Sequence, residues 1–123
     1  MNLIRGFIRD EGNHMEFKIN TDTWKVVVLD GEHEKMHPEP DSINLGLTEY
    51  CENVINIRKG MTASVTRSTV IHELVHAFIF SYGYHVKGEE PMCDFFGSLG
   101  DSILELADKI MKGVNFDVDN RGN

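Results

Sequence analysis

Basic residues, cysteines and long apolar runs are scarce in this sequence, and each shortage argues against a class of protein. Lys and Arg number 12 against 20 Asp and Glu, a net charge of −8, which disfavours direct nucleic-acid binding through phosphate contacts. Two cysteines, Cys51 and Cys93, are too few for the disulfide framework of a small secreted domain. No stretch approaches the roughly 20 apolar residues of a membrane span, and the N-terminus lacks the apolar core of a signal peptide. We therefore expect a cytoplasmic protein whose partner is a protein or peptide, with no membrane or nucleic-acid contact.

Internal repeats, low-complexity tracts and Pro/Gly/Ser linkers are also missing. The 123 residues, 41% of them hydrophobic, hold enough apolar material for one compact core. We therefore predict a single domain over residues 1–123. Residues 1–14 carry no interpretable pattern and are treated as an N-terminal extension.

Alternating and β-branched apolar residues predict a small sheet in the first half of the chain. The polar segment from Gly31 to Ser42 contains two prolines and is expected to be a loop at the surface. The predicted strands are 15–19, Trp24 to Leu29, Leu45 to Tyr50 and Asn53 to Ile57.

Two helices are predicted in the second half. Helix one should begin at Thr62 or Ser64, either of which can cap it, and end at Tyr82 before Gly83. Helix two should open near Glu89 to Pro91 and close at Gly113. The expected fold is α+β, with a small, mostly antiparallel sheet packed on the two helices. Helix two should bury one apolar stripe, formed by Met92, Phe95, Phe96, Leu99, Ile103, Leu106 and Ile110.

Helix one differs because apolar residues surround its axis, which predicts a buried helix. Its polar exceptions fall at i, i+3, i+4 and i+7, on one face. We expect this face to point inward, at the start of helix two. The four residues, called the polar stripe below, are Thr69, His72, Glu73 and His76.

The stripe contains HELVH, a match to H-E-x-x-H. His72 and His76 should lie about 6 Å apart along the helix axis, which lets both imidazoles converge on one Zn²⁺ ion. Glu73 would then act as general base toward a water on that ion. This chemistry is metal-assisted peptide hydrolysis.

A third ligand is needed. Metzincin spacing would require Gly at position 79 and His at position 82, but Ile79 and Tyr82 stand there, which excludes that class. The start of helix two offers Glu90 as a ligand and Asp94 as a hydrogen-bond partner for a ligand imidazole. Glu89, Cys93, Asp94 and His85 are alternative ligands, and Tyr82, Tyr84 and Arg67 are candidates to stabilise an oxyanion.

Residues 46–97 resemble the ImmA/IrrE family of zinc-dependent metallopeptidases, especially its short phage and mobile-element versions. The matching segments are GLTEY (46–50), NVINI (53–57), TVIHELVHAF (69–78) and EPMCDFFG (90–97). The resemblance implies that Glu90 is the metal-binding glutamate. Three positions depart from the family pattern, since Cys93, Asp94 and Gly97 stand where it has Ala, Asn and Ala.

The resemblance also implies a function, that of a gluzincin-like zinc endopeptidase. Its substrate would be an intracellular protein, with a helix-turn-helix repressor of a mobile element as the specific candidate. We expect such a repressor to be a separate chain. Two alternatives stay open: a non-catalytic, zinc-stabilised module that sequesters its partner, and a SprT-like zincin in which His85 replaces Glu90.

Overall fold

The structure, a computed structural model, describes residues 13–121. This part of the chain begins with a β-hairpin. Strands β1 (His14–Ile19) and β2 (Asp22–Leu29) pair antiparallel. Asn20, between them, has a φ of 57°, and Asn tolerates this left-handed conformation better than most residues do. Most of the predicted N-terminal extension, residues 1–12, lies outside the described residues.

Two further strands complete a four-stranded sheet. Strand β3 (Gly46–Glu49) pairs antiparallel with β4 (Val54–Arg58), and β4 pairs parallel with β2. The strand order is β1-β2-β4-β3, which leaves β3 at one edge. The prediction of a small, mostly antiparallel sheet is confirmed. The predicted surface loop between β2 and β3 contains a 3₁₀ turn at Glu34–Met36 whose Met36 is fully buried.

Helices α1 (Ala63–Tyr82) and α2 (Glu89–Gly113) follow the sheet. The Thr62 side chain caps α1 by accepting a hydrogen bond from the Val65 N–H. Gly83 ends α1 with a φ of 71°, a conformation that costs glycine little. The predicted helix boundaries are therefore confirmed. Neither of these two helices is long and apolar enough to cross a membrane.

One face of the sheet and the two helices share a hydrophobic core. Leu74 of α1 is fully buried, and burying a leucine side chain contributes about 1.5–3 kcal/mol. The C-terminal segment also joins this core through Val114 and Phe116. The other buried members of the core are Ile19, Trp24, Val26, Ile55, Ile57, Val70, Ala77, Phe78, Phe95, Ile103, Ala107 and Ile110.

The apolar stripe predicted for α2 is partly wrong at its N-terminal end. Phe95, Ile103 and Ile110 are buried as expected, but Met92 and Phe96 are exposed. The buried face of α2 runs instead through Ala107. The buried face of α2 therefore begins at Phe95, and the first turn of the helix lies at the surface.

Candidate metal and catalytic site

The polar stripe of α1 is divided between the interior and the surface. Thr69 and Glu73 are buried, whereas His72 and His76 are exposed. Successive helical residues are rotated by about 100°, so the four side chains span an arc rather than a line, and β3 packs against one side of it. The expectation of a buried helix with an inward-facing stripe is therefore wrong for the two histidines. Val65 and Phe80 of α1 are exposed as well.

Strand β3 holds Glu73 in place. The Thr48 hydroxyl donates a hydrogen bond to Glu73 Oε1 at 2.7 Å. A Cβ atom at Gly46 would lie 2.8 Å from both Glu73 Cγ and Thr69 Cγ2, closer than real Cβ contacts come. Glycine at this position therefore lets the β3 backbone approach α1 directly. As a result, the Glu73 carboxylate is buried and oriented.

The other face of β3 is anchored to the sheet. Glu49 accepts hydrogen bonds from Asn56 Nδ2 at 2.8 Å and from Lys35 Nζ at 3.0 Å. These bonds, the one from Asn56 first and then the one from Lys35, lower the pKa of Glu49. Because both faces of β3 are engaged, the strand is a fixed support for Glu73.

The two histidines lie side by side on the open part of the stripe. The centroids of the His72 and His76 rings are 5.0 Å apart, and the ring planes are inclined by 72°. Both side chains are exposed, so a metal ion has access to the pair. The structure thus brings His72, Glu73 and His76 together as the motif predicts.

None of the α2 candidates for the predicted third ligand is held in a fixed position beside the two histidines. Glu89, Glu90, Cys93 and Asp94 are all exposed at the start of α2, and the N-cap residue, Gly88, has no side chain with which to cap the helix. Within residues 13–121, no three or more His, Cys, Asp or Glu side chains are grouped closely enough to hold a metal ion. The assignment of Glu90 stays a prediction. His85 lines the same cleft as His76.

Two clefts flank the motif along α1. The first holds His72 and Glu73 and is walled by residues 43–46 of the segment leading into β3. The second holds His76 and His85 and is walled by apolar side chains, including Ile79 and Phe80. Their volumes, about 420 and 330 Å³, fall in the range of ligand pockets. The motif therefore lies between two accessible clefts, which together are called the groove below.

The three predicted oxyanion stabilisers are placed differently from one another. Arg67 bonds Asp108 of α2 at 3.2 Å. Tyr82 stacks on Phe78 at 5.9 Å between ring centroids and borders a cleft that does not contain the motif. Tyr84 lines the cleft of His76, although its ring also packs edge-on against Phe95. Of the three, only Tyr84 borders the site.

Sequence reasoning missed Tyr50. This residue follows β3 directly, lines the cleft of His76 and packs on Phe80 at 5.0 Å between ring centroids. Burial, followed by the negative charge of Glu73, raises the pKa of Tyr50. The sequence did contain a signal for Tyr50. Within the predicted strand from Leu45 to Tyr50, positions 46, 48 and 50 share a face by alternation.

No family model, curated protein or solved structure is significantly similar to this chain. The resemblance to the ImmA/IrrE family therefore rests on the sequence motifs alone.

Proposed function

We propose that this chain is a zinc-dependent metallopeptidase in which His72 and His76 bind the metal and Glu73 is the general base. The observation that carries the proposal is a buried, hydrogen-bonded carboxylate next to two exposed imidazoles on one helix. A merely solvated helix face needs no strand to orient its glutamate. A packing role does not account for two histidines that face solvent.

The donor set suits zinc. Two imidazoles one helical turn apart are ligands that Zn²⁺ favours, and the open groove leaves room for further ligands. When bound, Zn²⁺ would lower the pKa of a coordinated water to about 7 and polarise a substrate carbonyl. The family resemblance nominates Glu90 as the third ligand, and the cleft shared with His76 supports His85 as the alternative.

Glu73 has the environment that a general base requires. Thr48 engages Oε1, so Oε2 is the oxygen available to take a proton from the attacking water. The same oxygen would later pass that proton to the leaving amine. Because β3 and Thr48 hold the carboxylate, little reorganisation is needed when the proton moves.

An extended peptide is the substrate class that the groove favours. In the described sheet β3 is an edge strand. The Leu45 carbonyl accepts a hydrogen bond from the Arg58 N–H of β4, so by alternation the backbone groups of Gly46 and Thr48 face the free edge. A substrate segment can pair with this edge as an added strand. It would then lie beside the exposed histidines.

The experiment compares zinc-loaded wild type with Glu73→Gln, using fluorescently labelled casein as the probe. We expect Glu73→Gln to retain zinc and fold while cleavage falls by roughly 100- to 10,000-fold, the contribution of a general base. Glu105→Gln, an exposed glutamate on α2, is the matched control and should behave as wild type. Cleavage that does not depend on Glu73 would refute the proposal. Zinc-loaded wild type that cuts neither casein nor a mobile-element repressor, yet binds that repressor, would instead support the sequestration alternative.

A further inference from the structure

Tyr50 lines the groove and has no role in the chemistry proposed above. The face of β3 that contacts α1 carries Gly46 against Thr69 and Glu73, then Thr48 against Glu73. Tyr50, two residues further, is the first residue after the strand. It lines the cleft of His76, so the chain that leaves β3 continues past the motif along α1.

The Tyr50 ring has a defined orientation. It packs against Phe80 at 5.0 Å with a tilt of 42°, and Phe80 in turn packs edge-on against the buried Trp24 at 6.3 Å. The side chain is 40% exposed, so its ring is supported while part of its surface remains open to the cleft. A supported ring with an accessible edge can present a hydroxyl to a bound substrate.

We propose that Tyr50 is a catalytic residue whose hydroxyl donates a hydrogen bond to the oxyanion formed at the scissile carbonyl, an inference that rests on the peptidase function proposed above. In the reaction, the water oxygen bonds to the carbonyl carbon as its proton passes to Glu73. The carbonyl π electrons move to the carbonyl oxygen, and this oxygen accepts a hydrogen bond from the Tyr50 hydroxyl. Collapse re-forms the carbonyl and breaks the C–N bond, and the proton from Glu73 completes the amine.

The surroundings of Tyr50 keep its hydroxyl in the donor form. Burial and the charge of Glu73 both raise the pKa of the phenol, so the proton stays on oxygen at neutral pH and above. The other tyrosines are placed less well for this role. Tyr82 borders a cleft without the motif, and Tyr84, which lines the cleft of His76, is less exposed than Tyr50.

The test compares Tyr50→Phe with Tyr82→Phe in the full-length, zinc-loaded protein. Both tyrosines are 40% exposed, and each change removes only a hydroxyl, so the pair is matched. With the best substrate found in a fluorogenic peptide library, Tyr50→Phe should lower kcat by roughly 100-fold, the usual loss for one oxyanion donor. KM and zinc content should stay within about twofold of wild type, and Tyr82→Phe should match wild type in all three.

A second readout does not depend on turnover. On the Glu73→Gln background, the Kd of the same peptide, measured by fluorescence anisotropy, should be the same with Tyr50 and with Phe at that position. An unchanged kcat in Tyr50→Phe, an equal loss in Tyr82→Phe, a loss confined to KM or Kd, or a loss of zinc would each overturn the assignment. If wild type cleaves in a Glu73-dependent manner but Tyr50→Phe is unaffected, only the Tyr50 assignment fails. If cleavage is independent of Glu73, the proposed function fails and the assignment with it.

Discussion

On the α1–β3 side of the candidate site the polar side chains are fixed by direct contact, whereas at the first turn of α2 they are exposed. Glu73 is buried against Gly46 and Thr48. Glu90, by contrast, is exposed, and the N-cap residue of its helix, Gly88, has no side chain with which to cap the first turn. The proposed general base is thus held in place by the protein's own contacts. If α2 supplies a third ligand, the metal would position it, and zinc binding would then be coupled to local order.

The largest expected effect is the loss of zinc affinity when the third metal ligand is replaced. If α2 supplies the ligand, Glu90→Gln should weaken zinc binding by more than the roughly 10- to 100-fold that losing an outer-shell partner costs. His85→Ala should then leave affinity near that of wild type. Competition titration with a chromogenic zinc chelator measures both.

Glu105→Gln, which changes an exposed glutamate further along α2, is the control for charge, and Glu89→Gln tests the neighbouring alternative ligand. A large loss of zinc affinity in His85→Ala with none in Glu90→Gln would transfer the third ligand to the cleft of His76. An equal small loss in the Glu90, Glu89 and His85 variants would mean that none of these three residues is the third ligand.

Replacing one glycine by alanine on each side of the site compares how tightly the two sides are packed. Gly46→Ala should destabilise the fold by about 1–3 kcal/mol, because the new Cβ meets Glu73 and Thr69 at 2.8 Å. Gly97→Ala, in α2, has nothing within 4 Å of the new Cβ and should stabilise by about 0.5–1 kcal/mol through helix propensity. Urea denaturation gives both free energies of unfolding. Equal effects at the two positions would remove the distinction between a packed and an open side.

The hydrogen bond from Thr48 should give the smallest loss of stability among these variants. Thr48→Val removes the donor to Glu73 Oε1 and should cost about 1 kcal/mol of stability, the usual net value of one hydrogen bond. Peptidase activity should fall as the carboxylate loses its orientation, with zinc affinity unchanged. Thr48→Ser keeps the hydroxyl and should restore most of both losses. If Thr48→Val behaves as wild type in activity, Glu73 does not need this contact.

Local sequence patterns were sufficient to predict the four strands and the two helices. Thr62 and Gly83 mark the ends of α1 because a capping hydroxyl and tolerance of a positive φ are local properties of these residue types. Alternation and β-branching identified the strands for the same reason. The sequence also brought His72, Glu73 and His76 to one helix face through their spacing.

The division of the polar stripe was not predictable from this spacing. Periodicity places Thr69, His72, Glu73 and His76 within one arc, but which side is covered depends on where β3 lies. That position follows from the parallel pairing of β2 with β4, a long-range choice that no local pattern encodes. Tyr50 was missed for the same reason, because its role depends on which helix the face of β3 contacts.

The central claim is that the two imidazoles of α1 hold zinc, and metal content tests it most directly. Zinc per chain should be measured by inductively coupled plasma mass spectrometry on purified wild type, His72→Ala, His76→Ala and the control His37→Ala, after equilibration with limiting free zinc. We predict about one zinc per chain in wild type and His37→Ala, and a small fraction of that in the other two. Wild type without bound zinc, or zinc content unchanged by both replacements in α1, would contradict the account.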